Sequence, residues 1–275
     1  MSTLTPFADM APVPRVLIDV PVDEFPAGSV TVSVQRTCEG RVMDVRGGIR
    51  KPASSPLVVI DPEPGFQVPN DYTVIGHDID GEIVGSWPVG STTVDFSGSV
   101  IQQPLDPRLS VEVVRLVTMA ADIERETPGD LVFPQGATLP GMVGLGPRQG
   151  IQGMAVDVLL SSASDADALQ STLGGYATSQ LPVWLIRTPP DQRIPRIFFC
   201  HVPRLRESRV IGGGGHIRFS ATVSEVRPPA VGITATALTH SDMKVFFSTH
   251  TEVKAQYSTH SDVKRDTSLI GAADA

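Results

Sequence analysis

Three copies of one short pattern, ten residues apart, dominate the C-terminal stretch. They read Thr239-His240-Ser241-Asp242-Met243-Lys244, Thr249-His250-Thr251-Glu252-Val253-Lys254 and Thr259-His260-Ser261-Asp262-Val263-Lys264. Each opens with Thr and carries an acid three positions on. That is capping-box spacing: the Thr hydroxyl accepts from an N–H of the first turn and the acid reaches back to the cap. The segment therefore reads as three short helical turns, each restarted before it grows. A continuous helix would rotate the pattern off any one face, because ten is not a multiple of the roughly 3.6 residues per turn. A repeat this short cannot bury a core of its own and needs a surface to lie on.

Upstream, short strand-like runs alternate with turns. Arg15 to Ser99 holds Val16–Val20, Ser29–Val34, Arg41–Val45, Leu57–Ile60, Asp71–Gly76, Glu82–Trp87 and Thr92–Phe96. In Ser29–Val34, Val30, Val32 and Val34 alternate with Thr31 and Ser33, as in a half-buried antiparallel strand. Asp80-Gly81 marks a hairpin, and Gly47-Gly48 a turn. About seven strands in this span fit an immunoglobulin- or fibronectin-III-like β-sandwich over residues 15–101, preceded by an N-terminal segment, 1–14. Gln102-Gln103-Pro104-Leu105-Asp106-Pro107 reads as a proline-bounded linker.

A second domain is expected over 105–230. Ser110–Val117, Leu131–Pro134, Met154–Leu160, Leu181–Arg187 and Ile194–Val202 read as strands, and one helix is expected at 164–173. Ser164 is its expected N-cap, Asp167 sits at N3, Leu169 and Leu173 share a face, and Gly174-Gly175 closes it. Arg209–Ile211 and His216–Val223 flank Gly212, Gly213, Gly214 and Gly215 as a hairpin. Residues 233–275 form an extended C-terminal arm of short helical turns. The fold class is mainly β (α+β), with antiparallel sheets and one packed helix in the body. The 25 Gly and 24 Pro agree with frequent turns.

No motif carries chemistry. The four-glycine run lacks the Lys-Ser/Thr of a phosphate loop. Gly144-Leu145-Gly146 runs into Pro147, outside any strand-then-helix context. Asp78-Ile79-Asp80-Gly81 lacks the later glycine and acid of a calcium loop. His240, His250 and His260 are too widely spaced for the usual metal-ligand pattern. Cys200-His201 point to opposite sides of a strand, and Cys38 and Cys200 read as buried free thiols. No catalytic residue, cofactor or metal is expected. Trp87 and Trp184 read as core, and aromatic content of 5% leaves few platforms for sugars. A net charge of −8 disfavours binding to a phosphate backbone. Met1–Pro14 has neither part of a secretory signal, and no run approaches a membrane helix in length, so assembly in the cytoplasm is expected.

Four stretches resemble the minor tail proteins, and more broadly the distal tail proteins, of long-tailed phages that infect actinobacteria. They are Gly40–Arg50, Pro128–Pro134, Gly150–Tyr176 with Leu181–Val183 and Arg187–Pro190 after it, and the decapeptide repeat. Where such proteins often place an aromatic residue after the repeat Thr, this chain has His each time. The resemblance implies a virion tail-tip subunit that forms a ring, hexameric or trimeric, from copies of itself. Residues 105–230 would be the ring domain. The implied partners are the tail tube protein, tip or baseplate hub proteins and the tape measure protein. Gly212, Gly213, Gly214, Gly215, Thr239, His240, Asp242, Thr249, His250, Glu252, Thr259, His260 and Asp262 are the expected subunit-interface residues. The competing expectation is a carbohydrate-binding adhesion module that meets the host surface.

Overall fold

The computed structural model describes the chain except residues 117–121, 145, 210–215, 231–239, 260–261, 264–265, 267–268 and 270–275. The first strands are β1 (Thr3–Phe7), β2 (Arg15–Val20), β3 (Thr31–Cys38), β4 (Arg41–Asp44), β5 (Lys51–Pro52), β6 (Leu57–Asp61), β7 (Asn70–His77) and β8 (Ile83–Thr92). They form two antiparallel sheets, β1-β2-β6 and β4-β3-β7-β8, with β5 added to β3. The two sheets face each other as a β-sandwich. The core between them is aliphatic: Val16, Ile18 and Val20 of β2 and Leu57 and Val59 of β6 meet Val32 and Val34 of β3 and Val74 of β7. Tyr72 of β7 reaches back and donates its hydroxyl to Asp61 at the end of β6, 2.8 Å away, a side-chain version of the corner contact common in such sandwiches.

The Asp78–Gly81 turn joins β7 to β8, with His77 opposite Ile83 and Gly81 at a φ of 87°. Several details depart from expectation. The N-terminal segment supplies β1, paired along its length with β2. Val30 lies outside β3 and is half exposed. Ser33 is buried, because Arg50 N–H and His77 Nε2 both lie 3.1 Å from its hydroxyl. Thr92–Phe96 is not a separate strand; β8 runs to Thr92, and Val94 makes an isolated parallel bridge with Phe66.

The body comprises β9 (Ser99–Gln103), β10 (Asp106–Val113), β11 (Arg115–Leu116), β12 (Glu124–Arg125), β13 (Asp130–Val132), β14 (Gly141–Val143), β15 (Ile151–Gln152), β16 (Met154–Leu160), α1 (Ala163–Ser171), β17 (Val183–Arg187), β18 (Ile197–His201), β19 (Leu205–Arg209) and β20 (Ile217–Glu225). The expected linker Gln102–Pro107 is instead the tip of the β9–β10 hairpin, so the second sheet starts at Ser99. Gln103 is fully buried and its amide donates to the carbonyls of Thr172 and Leu181, at 2.6 and 3.0 Å. The prolines are tolerated because one lies at the hairpin tip and the other near a strand start.

The strand order is β10-β9-β17-β18-β20-β16-β11, with β19 also on β20. β11 continues β10 after the single residue Val114, whose N–H donates to Leu159 O at 3.0 Å. One stretch of chain therefore forms both ends of the strand order, and the sheet closes into a barrel. Alternate residues fill it, among them Ile101, Val113, Val156, Val158, Trp184, Ile186, Phe198 and Phe219. Trp184 satisfies its indole N–H on Thr172 Oγ1 at 2.7 Å.

Helix α1 covers this core with Ala166 and Leu169. It starts earlier than Ser164: the N-cap is Ser162, whose hydroxyl accepts from Asp165 N–H at 3.1 Å. Asp165, at N3, also accepts from Ser161 Oγ at 2.7 Å, and these serine donors hold its carboxyl below the usual range. The Ser161-Ser162 pair offers a cap and a second donor, which the Ser164–Asp167 spacing lacks. Ser162→Ala should destabilise the chain by about 1 kcal/mol in urea denaturation, and Ser164→Ala by only a few tenths. Equal effects would place the cap elsewhere. Gly174 closes the helical segment as expected, at a φ of 89°, where a Cβ would meet Thr178 O.

Sandwich and barrel share a third apolar cluster, in which Cys38 and Val68 meet Val183, Leu185, Ile197 and Phe199. Arg187 of β17 is fully buried beside it. Its guanidinium donates to Pro14 O (2.8 Å), Pro64 O (3.1 Å) and Gln102 Oε1 (2.8 Å), and lies over the Phe66 ring. Burial pulls its pKa down to about 9, which leaves it charged at neutral pH. Arg46, paired with Glu63 on the sandwich side, crosses the same join to the Pro104 carbonyl, and Arg41 pairs with Glu225 at 2.7 Å.

Candidate subunit interface

The arm carries α2 (His240–Phe246) and α3 (His250–Gln256). Thr249 caps α3, its hydroxyl accepting from Glu252 N–H at 3.3 Å. Glu252 accepts from the N–H and hydroxyl of Ser248, at 2.7 and 2.9 Å. The third copy makes the reciprocal form: Asp262 N–H donates to Thr259 Oγ1 (3.2 Å), and Asp262 accepts from Thr259 N–H (2.8 Å). The extra methylene of glutamate accounts for the difference, since it carries the carboxylate one residue further back along the chain. These bonds join arm residues to one another. The Thr-x-x-acid spacing thus works as a cap in both copies described at that point.

Repeats also stack in register. His240 and His250 have ring centroids 5.4 Å apart, and Phe247 and Tyr257 lie edge to face at 5.9 Å. Both pairs are ten residues apart in sequence. Asp242, Val263 and Leu269 are buried, whereas His240, Thr249, His250, Glu252 and Thr259 are exposed. The structure therefore brings His240 and His250 together and places Asp242 and Glu252 in the first turns of α2 and α3. Gly212, Gly213, Gly214, Gly215, Thr239 and His260 lie outside the described residues, although Arg209 pairs with Ile217 across the glycine run.

The Glu252 carboxyl sits below its ordinary range because Ser248 donates two hydrogen bonds to the charged form. A lowered folded-state value stabilises the cap above the ordinary glutamate value of 4.5 and loses that stabilisation as pH falls through the lowered one. Acidification should therefore release the Ser248 amide, followed by its NMR shift. Glu252→Gln should abolish that titration, and its persistence would assign it to another group.

A second surface has no periodic signal in the sequence. Between β11 and β16 the chain leaves the barrel as a long hairpin. Its base is the β12–β15 pair, anchored by the fully buried Ile151. Further out, β13 and β14 pair only with each other. Leu131 is 62% exposed, Phe133 66%, Leu139 78% and Met142 60%. Leu131 faces Met142 across the ladder, while Val132 and Val143 point to the reverse side. A two-stranded hairpin with apolar residues on both faces is not a stable arrangement in water alone.

A cleft of about 820 Å³ lies beside α1, lined by Ser99, Ser110, Glu112, Ser164, Asp165 and Asp191 among others. Its described lining holds no histidine, cysteine or lysine; it offers carboxylates, hydroxyls and the Arg115 side chain. Cys38 and Cys200 are buried and unbridged, and burial raises both thiol pKa values. Trp87, expected in the core, is 44% exposed because β8 is the last strand of its sheet. No known family model matches the sequence, and no curated protein is significantly similar to it.

Proposed function

We propose that the chain is a structural subunit of a phage tail tip, a distal tail protein that builds a ring between tail tube and tip hub. Copies of itself are the first partner, with the tube protein and hub proteins next. The observation that carries this reading is the β13–β14 hairpin, whose apolar residues on both faces call for neighbouring protein on two sides. The arm adds to it: Val263 and Leu269 seat it on the chain itself, while its capped and ring-stacked turns leave His240, Thr249, His250 and Glu252 exposed to a neighbour. The test is light scattering and electron microscopy of the purified chain, alone and with its tube protein. Ring-sized particles or tube-end decoration are expected; a strictly monomeric chain that never joins a tube overturns the proposal.

A host-surface carbohydrate module is the second reading, favoured by the exposed indole of Trp87. Glycan-array binding that is lost in Trp87→Ala, with folding intact, would prefer it.

A further inference from the structure

We propose that the base of the long hairpin pairs, edge to edge, with β19 of a second copy of this chain. The contact depends on the ring proposed above and supplies the joint that closes it. Both strands have an open edge: among the described residues β12 pairs only with β15, and β19 only with β20. An open strand edge is a template for another strand.

Each edge carries charge of one sign. Side chains alternate along a strand, so residues two apart share a side, roughly 7 Å from each other. Around β12, Ile123 packs on the barrel core and Arg125 stands opposite the buried Ile151. Asp122, Glu124 and Glu126 therefore share the outer side, and all three are exposed. On β19, Leu205 packs on the same core and Glu207 accepts from Gln170 of α1 at 2.6 Å. That leaves Arg204 and Arg206 together on the outer side, both exposed. None of these three acid and two arginine side chains has a hydrogen-bond or ion-pair partner among the described residues.

The signs choose the occupant. β12 against β12 would set acid on acid, and β19 against β19 arginine on arginine, and like charges directly opposite destabilise a strand pair. β12 on β19 matches both charge and pitch. Copies with a net charge of −8 repel one another overall, so contact is favoured where arginines stand clear of acids. Pairing of unlike edges is head to tail, the kind of contact that closes into a ring. It also carries the outer hairpin onto the neighbour, where its exposed Leu131 and Met142 find cover.

The test compares the full chain with Glu124→Lys/Glu126→Lys, with Arg204→Glu/Arg206→Glu and with the variant carrying all four changes, by sedimentation velocity over a concentration series. Each double reversal should weaken association about tenfold or more, because it turns attractions into repulsions. The fourfold variant should return to within about threefold of the unaltered chain, since its edges are again unlike. Circular dichroism melts separate lost charge from lost fold. Should a reversal unfold the chain, the glutamine variants at the same positions replace it and should weaken association severalfold. If the unaltered chain assembles and neither reversal changes that, this contact is overturned and the ring reading stands. A loss that the fourfold variant does not recover overturns it too, and gives the arginines to a different anionic partner. A strictly monomeric unaltered chain overturns both.

Discussion

Replacing Leu131 and Met142 together by Asp should abolish association of the chain while leaving its melting transition nearly unchanged. Both side chains are more than half exposed and face one another across the β13–β14 ladder. Removing them takes little from the folded monomer, since exposed positions away from special features shift stability by within about 0.5 kcal/mol. In an assembly the same positions would be covered, and an aspartate there would be a buried, unpaired charge. Truncating or charging the centre of an interface costs about 2 kcal/mol or more per position, so two such changes should weaken association by several hundredfold or more. Sedimentation velocity checks both halves of the expectation. Unaltered assembly would mean that the hairpin faces solvent in the particle and that copies meet elsewhere. A matching change at Val42, an exposed position on the sandwich edge strand β4, serves as the control and should leave assembly intact.

The second large effect lies in the interior. Asp61→Ala should cost about 3–5 kcal/mol, the range for breaking one side of a buried ion pair. Arg36 and Asp61 are each about 1% exposed and bonded at 2.5 and 2.7 Å. Asp61 also accepts from Tyr72 (2.8 Å) and from Glu63 N–H (3.0 Å). Burial works most strongly against the Arg36 charge, yet Asp61, Tyr72 and Glu63 together outweigh it and raise its pKa. Without Asp61 that guanidinium stays buried with its main counter-charge gone. A paired Arg36→Met/Asp61→Leu variant should recover much of the loss, because apolar replacements of both partners spare the desolvation of charge. Urea denaturation of the two variants beside the unaltered chain decides it; equal loss in the single and the double would show that packing, and not charge, governs the site. Burial and the same carboxylate raise the Tyr72 pKa. Tyr72 thus stabilises the fold below the ordinary tyrosine value of 10.0, and that contribution is lost as pH rises through its higher folded value.

How far the sequence foretold these features depended on the range of the forces behind them. β2, β7 and β16 were legible because burial alternates or runs unbroken along them, and a single strand carries that signal. The repeat caps were legible because a capping box closes within three residues. The start of α1 was misplaced by two residues, since Ser162 and Ser164 are equally good caps locally and only the Ser161–Asp165 bond separates them. Gln102-Gln103 looked like linker because glutamine beside proline is usually exposed; its burial depends on carbonyls at Thr172 and Leu181, about seventy residues on. Barrel closure was out of reach for the same reason, as it depends on β11 finding β16. The outer hairpin was half legible: Leu131–Pro134 read as a strand, as β13 is, but its partner β14 and their shared exposure did not. Leu131, Phe133, Leu139 and Met142 stand among Gly, Pro and polar residues, with no period to mark a face. In the arm, the ninth-position rings Phe247 and Tyr257 form a ten-residue echo of their own, readable beside Thr, His and acid.

Arg187 fastens the two β-units through main-chain oxygens of Pro14 and Pro64. A grip on backbone cannot swing aside as a pair of surface side chains can. Load applied to the sandwich would then be handed directly to the middle of strand order in the barrel, with little slack lost on the way. Such a coupling turns the sandwich into a handle, and whatever takes hold of it can twist the barrel.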